Sequence, residues 1–251
     1  MRYSNAAVQD GAARDVRGLV LDVDGTLLAS EDADAQAWRE EFAAAGVPIT
    51  IERYAYWWDD WSWHRETRMI TRLANLAPGI DQEQVSARRA ARYTDLCADL
   101  PLCPGMEDWL GEARAHGLRI AVATNDTTGR VPEHLDRLGL TGRLDAIVTP
   151  AEGARLKPAP DLHLRAAAEL GVPAAACIAV EDAPHGARAA QQAGYAGVIF
   201  LPNSVTTHLD LAPDRPGEEP PVAICPGPAA ASLTAALADL GLVTRDGPPV
   251  S

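Results

Sequence analysis

Short apolar runs alternate with helical patterns along most of this chain, and that alternation limits the fold more than any other feature. Residues 16–22 (VRGLVLD) form a run of strand type. Residues 118–124, 146–149, 176–181 and 197–201 repeat it, and 222–225 is a weaker sixth. Helical patterns over 106–116, 130–138, 160–170, 183–193 and 231–240 separate them. Strands alternating with helices require crossover connections, so the expected fold class is α/β: a doubly wound parallel sheet, Rossmann-like, with helices on both faces. The interval between the first and second runs is far too long for one crossover. It holds helical patterns at 34–45, 54–76 and 82–100 and no convincing strand. Residues 31–100 are therefore expected to form an inserted α-helical cap domain, and residues 1–30 with 101–251 the catalytic core. Pro101 and Pro104 punctuate the return to the core.

The 251 residues suffice for such a core with an insert, and no apolar run is long enough to span a bilayer. The formal net charge is −13. A nucleic-acid surface or an anionic membrane needs a basic patch, and none is visible, so neither partner is expected. The N-terminal stretch MRYSNAAVQDGAARDVRG lacks the apolar segment of a secretory signal. Cys97, Cys103, Cys177 and Cys225 form no C-x-x-C pair, and they read as reduced core thiols of a cytoplasmic protein. Of 22 basic residues, Lys157 is the single lysine.

The first strand ends in Asp22-Val23-Asp24-Gly25-Thr26-Leu27. Two carboxylates at a strand end point toward the carboxyl edge of the sheet, where open parallel sheets bind ligands. Gly25 permits the sharp turn that follows. Thr124-Asn125 closes the second strand, Lys157 stands in LKPAPD, and Glu181-Asp182 closes the fourth strand in IAVEDAPHG. Each piece alone has an ordinary reading: a turn with a helix cap, a loop lysine, the acids of a helix start. Four such pieces in order, each at a strand end or in the loop beside it, make coincidence a poor account.

With these motifs the chain resembles the haloacid dehalogenase superfamily, in its phosphotransferase majority and close to the phosphatase and β-phosphoglucomutase-like branch with a helical cap. The resemblance implies a nucleophile at Asp22 that forms an aspartyl-phosphate. It implies a general acid and base at Asp24. Gly25, Thr26, Thr124, Asn125 and Lys157 would cradle the phosphoryl group. Mg²⁺ would be held by Asp22, the main-chain carbonyl of Asp24, Asp182 and Glu181, a set of hard oxygen donors. Two positions depart from the family pattern: Asp126 adds an acid beside the phosphate site, and Leu156 replaces the glycine that usually precedes the lysine.

The expected cap contains YAYWWDDWSWHRETR, with four of the six tryptophans. Trp57 and Trp61 share a helix face, as do Tyr54 and Trp58. These aromatics read either as packing between cap helices or as a wall for substrate. In the second case His64, Arg65 or Arg68 would reach polar groups, with Arg53 and Arg72 as further candidates. The β-phosphoglucomutases place a lysine in the cap and a histidine in its first helix; here the cap has no lysine, and the histidine's counterpart is Asp34 or a close neighbour. Dehalogenases lack the second aspartate, so Asp24 argues against them. The expected function is a Mg²⁺-dependent phosphatase acting on a small phosphorylated metabolite, a sugar or polyol phosphate. The alternatives are a sugar phosphomutase and a non-catalytic binding protein that keeps the fold.

Overall fold

The computed structural model describes residues 14–58, 65–209 and 222–244. Its centre is a six-stranded parallel sheet in the order β4-β3-β2-β5-β6-β7. The strands are β2 (Gly18–Leu21), β3 (Arg119–Ala123), β4 (Ala146–Val148), β5 (Cys177–Glu181), β6 (Gly197–Phe200) and β7 (Val222–Ile224). Every residue of β2, β5 and β6 is buried, which is why these strands read as unbroken apolar runs rather than alternating ones. The helices α5 (Met106–Ala115), α6 (Val131–Arg137), α7 (Asp161–Leu170) and α8 (Pro184–Gln192) lie between the strands in sequence. Of these, α7 packs on β2, β3 and β4, and α8 on β5 and β6. Gly18 has to be small: a Cβ there would lie 2.8 Å from the Cys177 sulfur and 3.3 Å from Leu170 Cδ1.

The first strand differs from expectation. Residues 16–22 do not form one strand. β1 (Arg14–Val16) pairs instead with β8 (Leu242–Thr244) in a separate two-stranded parallel sheet. Arg17 is the joint, donating its N–H to the Ala176 carbonyl and accepting from the Arg119 N–H. The polar start of the run thus serves a second sheet, and only its apolar end, β2, enters the first. The partner strand β8 lies beyond the last strand expected from the sequence. It follows α9 (Leu233–Asp239), whose first turn is capped by the Ser232 hydroxyl.

The chain divides into two compact units. One comprises residues 1–28, 102–202 and 212–251 and carries both sheets. The other comprises Ala29–Pro101 with Asn203–Leu211, so a short segment from late in the chain groups with the helices rather than with the sheet. Among its described residues this unit holds α1 (Ser30–Ala44), α2 (Ile51–Trp58), α3 (Arg65–Leu76) and α4 (Gln82–Cys97). Two helices therefore replace the single tract read at 54–76. Pairs four residues apart build its core: Trp38 with Phe42 on α1, Tyr54 with Trp58 on α2, Met69 with Leu73 on α3, all buried. Arg88 and Arg92 of α4 clasp Glu41 and Glu40 of α1, each through two hydrogen bonds. The segment 203–211 docks its short 3-10 turn, Thr206–His208, against α2. Among the described residues no helix is long and apolar enough to cross a membrane.

Candidate active site

The order of the sheet creates the site. From β2 the chain runs outward through β3 to β4, then returns to β5 on the other side of β2 and continues to β6 and β7. At such a switch point the connections leave adjacent strands in opposite directions, and a crevice opens at their carboxyl ends. Asp22 is the residue after β2, with its N–H bonded to the Val180 carbonyl of β5 at 2.9 Å. Glu181 is the last residue of β5, and Asp182 follows it. One carboxylate oxygen from each of Asp22, Glu181 and Asp182 lies within 4.8 Å of the others, and all three residues are buried. This is the one such group of acids among the described residues.

Lys157 reaches the cluster from the loop before α7. Its Nζ donates to Asp22 Oδ1 at 2.6 Å and to Glu181 Oε1 at 2.8 Å, and the lysine is buried. Burial opposes its charge, but the two carboxylates outweigh burial and hold the ammonium above its ordinary pKa. Burial pushes the Asp22 carboxyl up to about 7; Lys157 pulls against that rise and Glu181 adds to it. Burial also raises Glu181, again opposed by Lys157. Three buried acids facing one ammonium leave the site short of positive charge. A hard divalent cation among these oxygen donors would supply it, so the residues fit one.

Around the cluster, the turn after Asp22 is built by backbone geometry. Gly25 has φ 80°, a conformation suited to glycine, and its N–H bonds the Leu28 carbonyl. Asp24 is half-buried, more open than Asp22. Thr26 is buried, and its hydroxyl has no hydrogen-bond partner. Thr124 follows β3 and is buried; its Oγ1 accepts the Asp126 N–H at 3.0 Å, which leaves the hydroxyl hydrogen to donate elsewhere.

Asn125 lies in the same loop, and its side-chain amide is engaged by Lys157. Oδ1 accepts the Lys157 N–H at 2.8 Å and Nδ2 donates to the Lys157 carbonyl at 3.3 Å. The amide thus clamps the lysine loop. Asp126 turns toward Thr128, accepting from its N–H and hydroxyl at 3.0 and 2.8 Å.

Two neighbours of Glu181 were not among the site residues expected from the sequence. His163 on α7, fully buried, places Nε2 3.0 Å from Glu181 Oε1. Burial, with Lys157 adding, keeps its pKa well below the ordinary imidazole range, so the ring is neutral. A histidine inside an apolar helical stretch looks like any core residue until its partner is known. Gly186 on α8 faces the other carboxylate oxygen, and a Cβ there would lie 1.8 Å from Glu181 Oε2.

In the helical unit, Tyr54 and Trp58 are core, the latter bonding Glu31 Oε2 through Nε1 at 2.9 Å. Trp57 is half-buried against Phe42, with ring centroids 5.6 Å apart, and the guanidiniums of Arg53 and Arg72 lie 5.7 and 5.1 Å from its ring. Arg68 is half-buried. Trp61, His64 and the side chain of Arg65 lie outside the described residues.

Comparison with known proteins agrees with this arrangement. A family model described as haloacid dehalogenase-like hydrolase matches residues 16–194. The chain is 32% identical over 218 residues to the protein CbbY of Rhodobacter capsulatus, covering 79% of this chain and 90% of that one. It is 33% identical over 181 residues to the fructose-1-phosphate phosphatase YqaB of Escherichia coli, covering 70% and 92%. Among solved structures, a CbbY variant from Rhodobacter sphaeroides in complex with xylulose-1,5-bisphosphate matches with a TM-score of 0.64 at 28% identity, over 88% of this chain and 99% of that one.

Proposed function

The chain belongs to the haloacid dehalogenase-like hydrolases, in their phosphatase branch, and from that premise we propose that it is a Mg²⁺-dependent phosphatase for a small sugar or polyol phosphate. The observation that carries this reading is the buried Lys157 ammonium, in contact with both Asp22 and Glu181 while Asp182 completes the acidic cluster. A phosphate dianion cannot approach uncompensated carboxylates, and phosphoryl transfer depends mainly on positioning and charge neutralisation. Mg²⁺, held by Asp22 and Asp182 with the Asp24 carbonyl and Glu181, would supply that neutralising charge.

The residues then divide the chemistry. A carboxylate oxygen of Asp22 bonds to phosphorus as the phosphorus–ester oxygen bond breaks, giving an aspartyl-phosphate. Asp24 protonates the departing alkoxide. It then takes a proton from water, whose oxygen attacks phosphorus and releases Asp22 and inorganic phosphate. The greater exposure of Asp24 suits a group that must meet both alcohol and water. Lys157 and the Thr124 hydroxyl hold the phosphoryl oxygens, with Gly25 and Thr26 on the same loop and Asn125 acting through the backbone of Lys157.

We assign the helical insert expected at residues 31–100 to substrate selection, with Trp57 and Arg68 among the described candidates. The sugar preference draws on YqaB, named a fructose-1-phosphate phosphatase, and on the CbbY complex with a sugar bisphosphate. The phosphomutase alternative loses support at Asp34. That residue is buried, accepts the Tyr54 hydroxyl at 2.5 Å and pairs with Arg89, so it is committed to holding α1, α2 and α4 together. The test is phosphate release from a panel of sugar and polyol phosphates with Mg²⁺, in the wild type and in Asp22→Asn. Turnover in the wild type and none above background in the variant is the expected result. A variant that still turns over would refute the covalent route.

A further inference from the structure

An acid two residues beyond Thr124 would be an unwelcome neighbour for a phosphate, yet Asp126 commits both of its carboxylate oxygens to its own loop. Oδ1 accepts the Thr128 N–H at 3.0 Å, and Oδ2 accepts the Thr128 hydroxyl at 2.8 Å. The side chain thus closes the turn twice, and the charge on the acceptor strengthens both bonds. The Thr128 hydroxyl is itself fixed. Its Oγ1 accepts from the Arg130 N–H and Nε–H at 3.4 and 3.3 Å, which leaves its hydrogen for Asp126.

The backbone of Asp126 serves Thr124. Its N–H donates to Thr124 Oγ1 at 3.0 Å. Thr124 is 1% exposed, and its own N–H is tied to the Val148 carbonyl of β4 at 3.1 Å. Among the described residues no acceptor takes its hydroxyl hydrogen. A buried hydroxyl with one lone pair occupied and its hydrogen unclaimed is a donor held for an incoming acceptor. Because β3 pairs with β2 in parallel, this donor stands at the same sheet edge as Asp22.

We propose that Asp126 is a positioning residue: its carboxylate, closed on Thr128, holds the Asp126 N–H on Thr124 Oγ1 and so aims the Thr124 hydroxyl hydrogen at a phosphoryl oxygen. The negative charge is met by the donors of Thr128 and acts through the turn it builds. Without the carboxylate the turn loses its closure, the N–H leaves Thr124, and the hydroxyl is free to rotate away from the phosphate.

The kinetic part of this inference rests on the phosphatase reading above, and the experiment keeps the two apart. It compares Asp126→Asn, Asp126→Ala and the Asp126→Ala change in a Thr124→Val background, by phosphate release from an ester that the wild type hydrolyses. Asparagine keeps an acceptor for the Thr128 N–H and closes the same turn, so kcat stays within about threefold of wild type. Alanine closes nothing, and kcat falls about tenfold or more, as for loss of one hydrogen bond to a charged group. In the Thr124→Val background the same alanine change costs less than about twofold, because the hydroxyl that Asp126 aims is gone. An alanine loss that persists in that background overturns the proposal, since the acid would then act by another route. So does a fall in KM shared by Asp126→Asn and Asp126→Ala with kcat unchanged, the mark of an acid that merely repels phosphate.

A second readout needs no turnover. In the full chain, amide hydrogen exchange at residue 126 should be slow in the wild type and in Asp126→Asn, and about tenfold or more faster in Asp126→Ala and in Thr124→Val. Equal exchange in the wild type and Asp126→Ala overturns the proposal. Wild type inert toward every phosphate ester would sink the phosphatase reading instead, and the exchange rates would still decide whether Asp126 holds its N–H on Thr124.

Discussion

Lys157 is the residue on which the site turns. Its side chain is 1% exposed, and among the described residues it is the single cation in contact with either Asp22 or Glu181. An arginine is not equivalent here. Its planar fork needs more room than a fully enclosed ammonium and cannot put one point charge between two oxygens 2.6 and 2.8 Å away. We expect Lys157→Met to lower kcat on the order of 10²–10³, as for loss of a buried group that stabilises developing charge, and Lys157→Arg to recover little of it. Steady-state phosphate release with both variants checks this. Lys157 was readable from sequence as a motif residue. What fixes its backbone was not: the two hydrogen bonds from Asn125 span 32 residues, and nothing in the pair Thr124-Asn125 says which way the amide turns.

At the scale of elements, the junction of β5 and α8 carries the tightest constraint. Gly186 stands against Glu181 so closely that even a methyl group would collide with the carboxylate. Gly186→Ala must therefore move the helix or the carboxylate, and either motion displaces Lys157. Overpacking of this kind costs about 1–3 kcal/mol. The expected result is a lower Tm together with a loss of kcat far larger than a Tm change alone would bring, read by thermal melts and phosphate release on one preparation.

The other end of β5 supplies a pH prediction. Burial pushes the Cys177 thiol up to about 12 from an ordinary value of 9, and burial raises Tyr195 on the turn after α8 as well. Groups that ionise more readily in the unfolded chain stabilise the fold fully below their unfolded pKa. That stability drains away as pH climbs from about 9 toward 12. Urea midpoints should thus fall steadily above pH 9, and Cys177 should resist alkylation at pH 8 in the native state; ready labelling would contradict its burial.

For the molecule as a whole, charge balance decides how metal and stability are linked. A divalent cation that binds only the folded chain stabilises it, by about 2.7 kcal/mol at a hundredfold excess over Kd. Adding Mg²⁺ should raise Tm. Asp182→Asn should abolish that rise and, by removing one of three crowded acids, raise the metal-free Tm above that of wild type. Differential scanning calorimetry with and without Mg²⁺ tests both halves, and a variant whose metal-free Tm falls would contradict the crowding argument.

The sequence by itself determined the α/β class and the parallel sheet, and it singled out Asp22, Lys157, Glu181 and Asp182, because apolar periodicity and strand-end motifs are local signals that survive without knowledge of partners. Only the tertiary structure decided that the first apolar run splits at Arg17 to serve two sheets. It alone showed that Asn203–Leu211 groups with the helical unit, that Asn125 braces the lysine loop and that His163 abuts Glu181. Each of these depends on which distant residue arrives at a given atom, and a contact between residues far apart in the chain leaves no periodic trace in either segment.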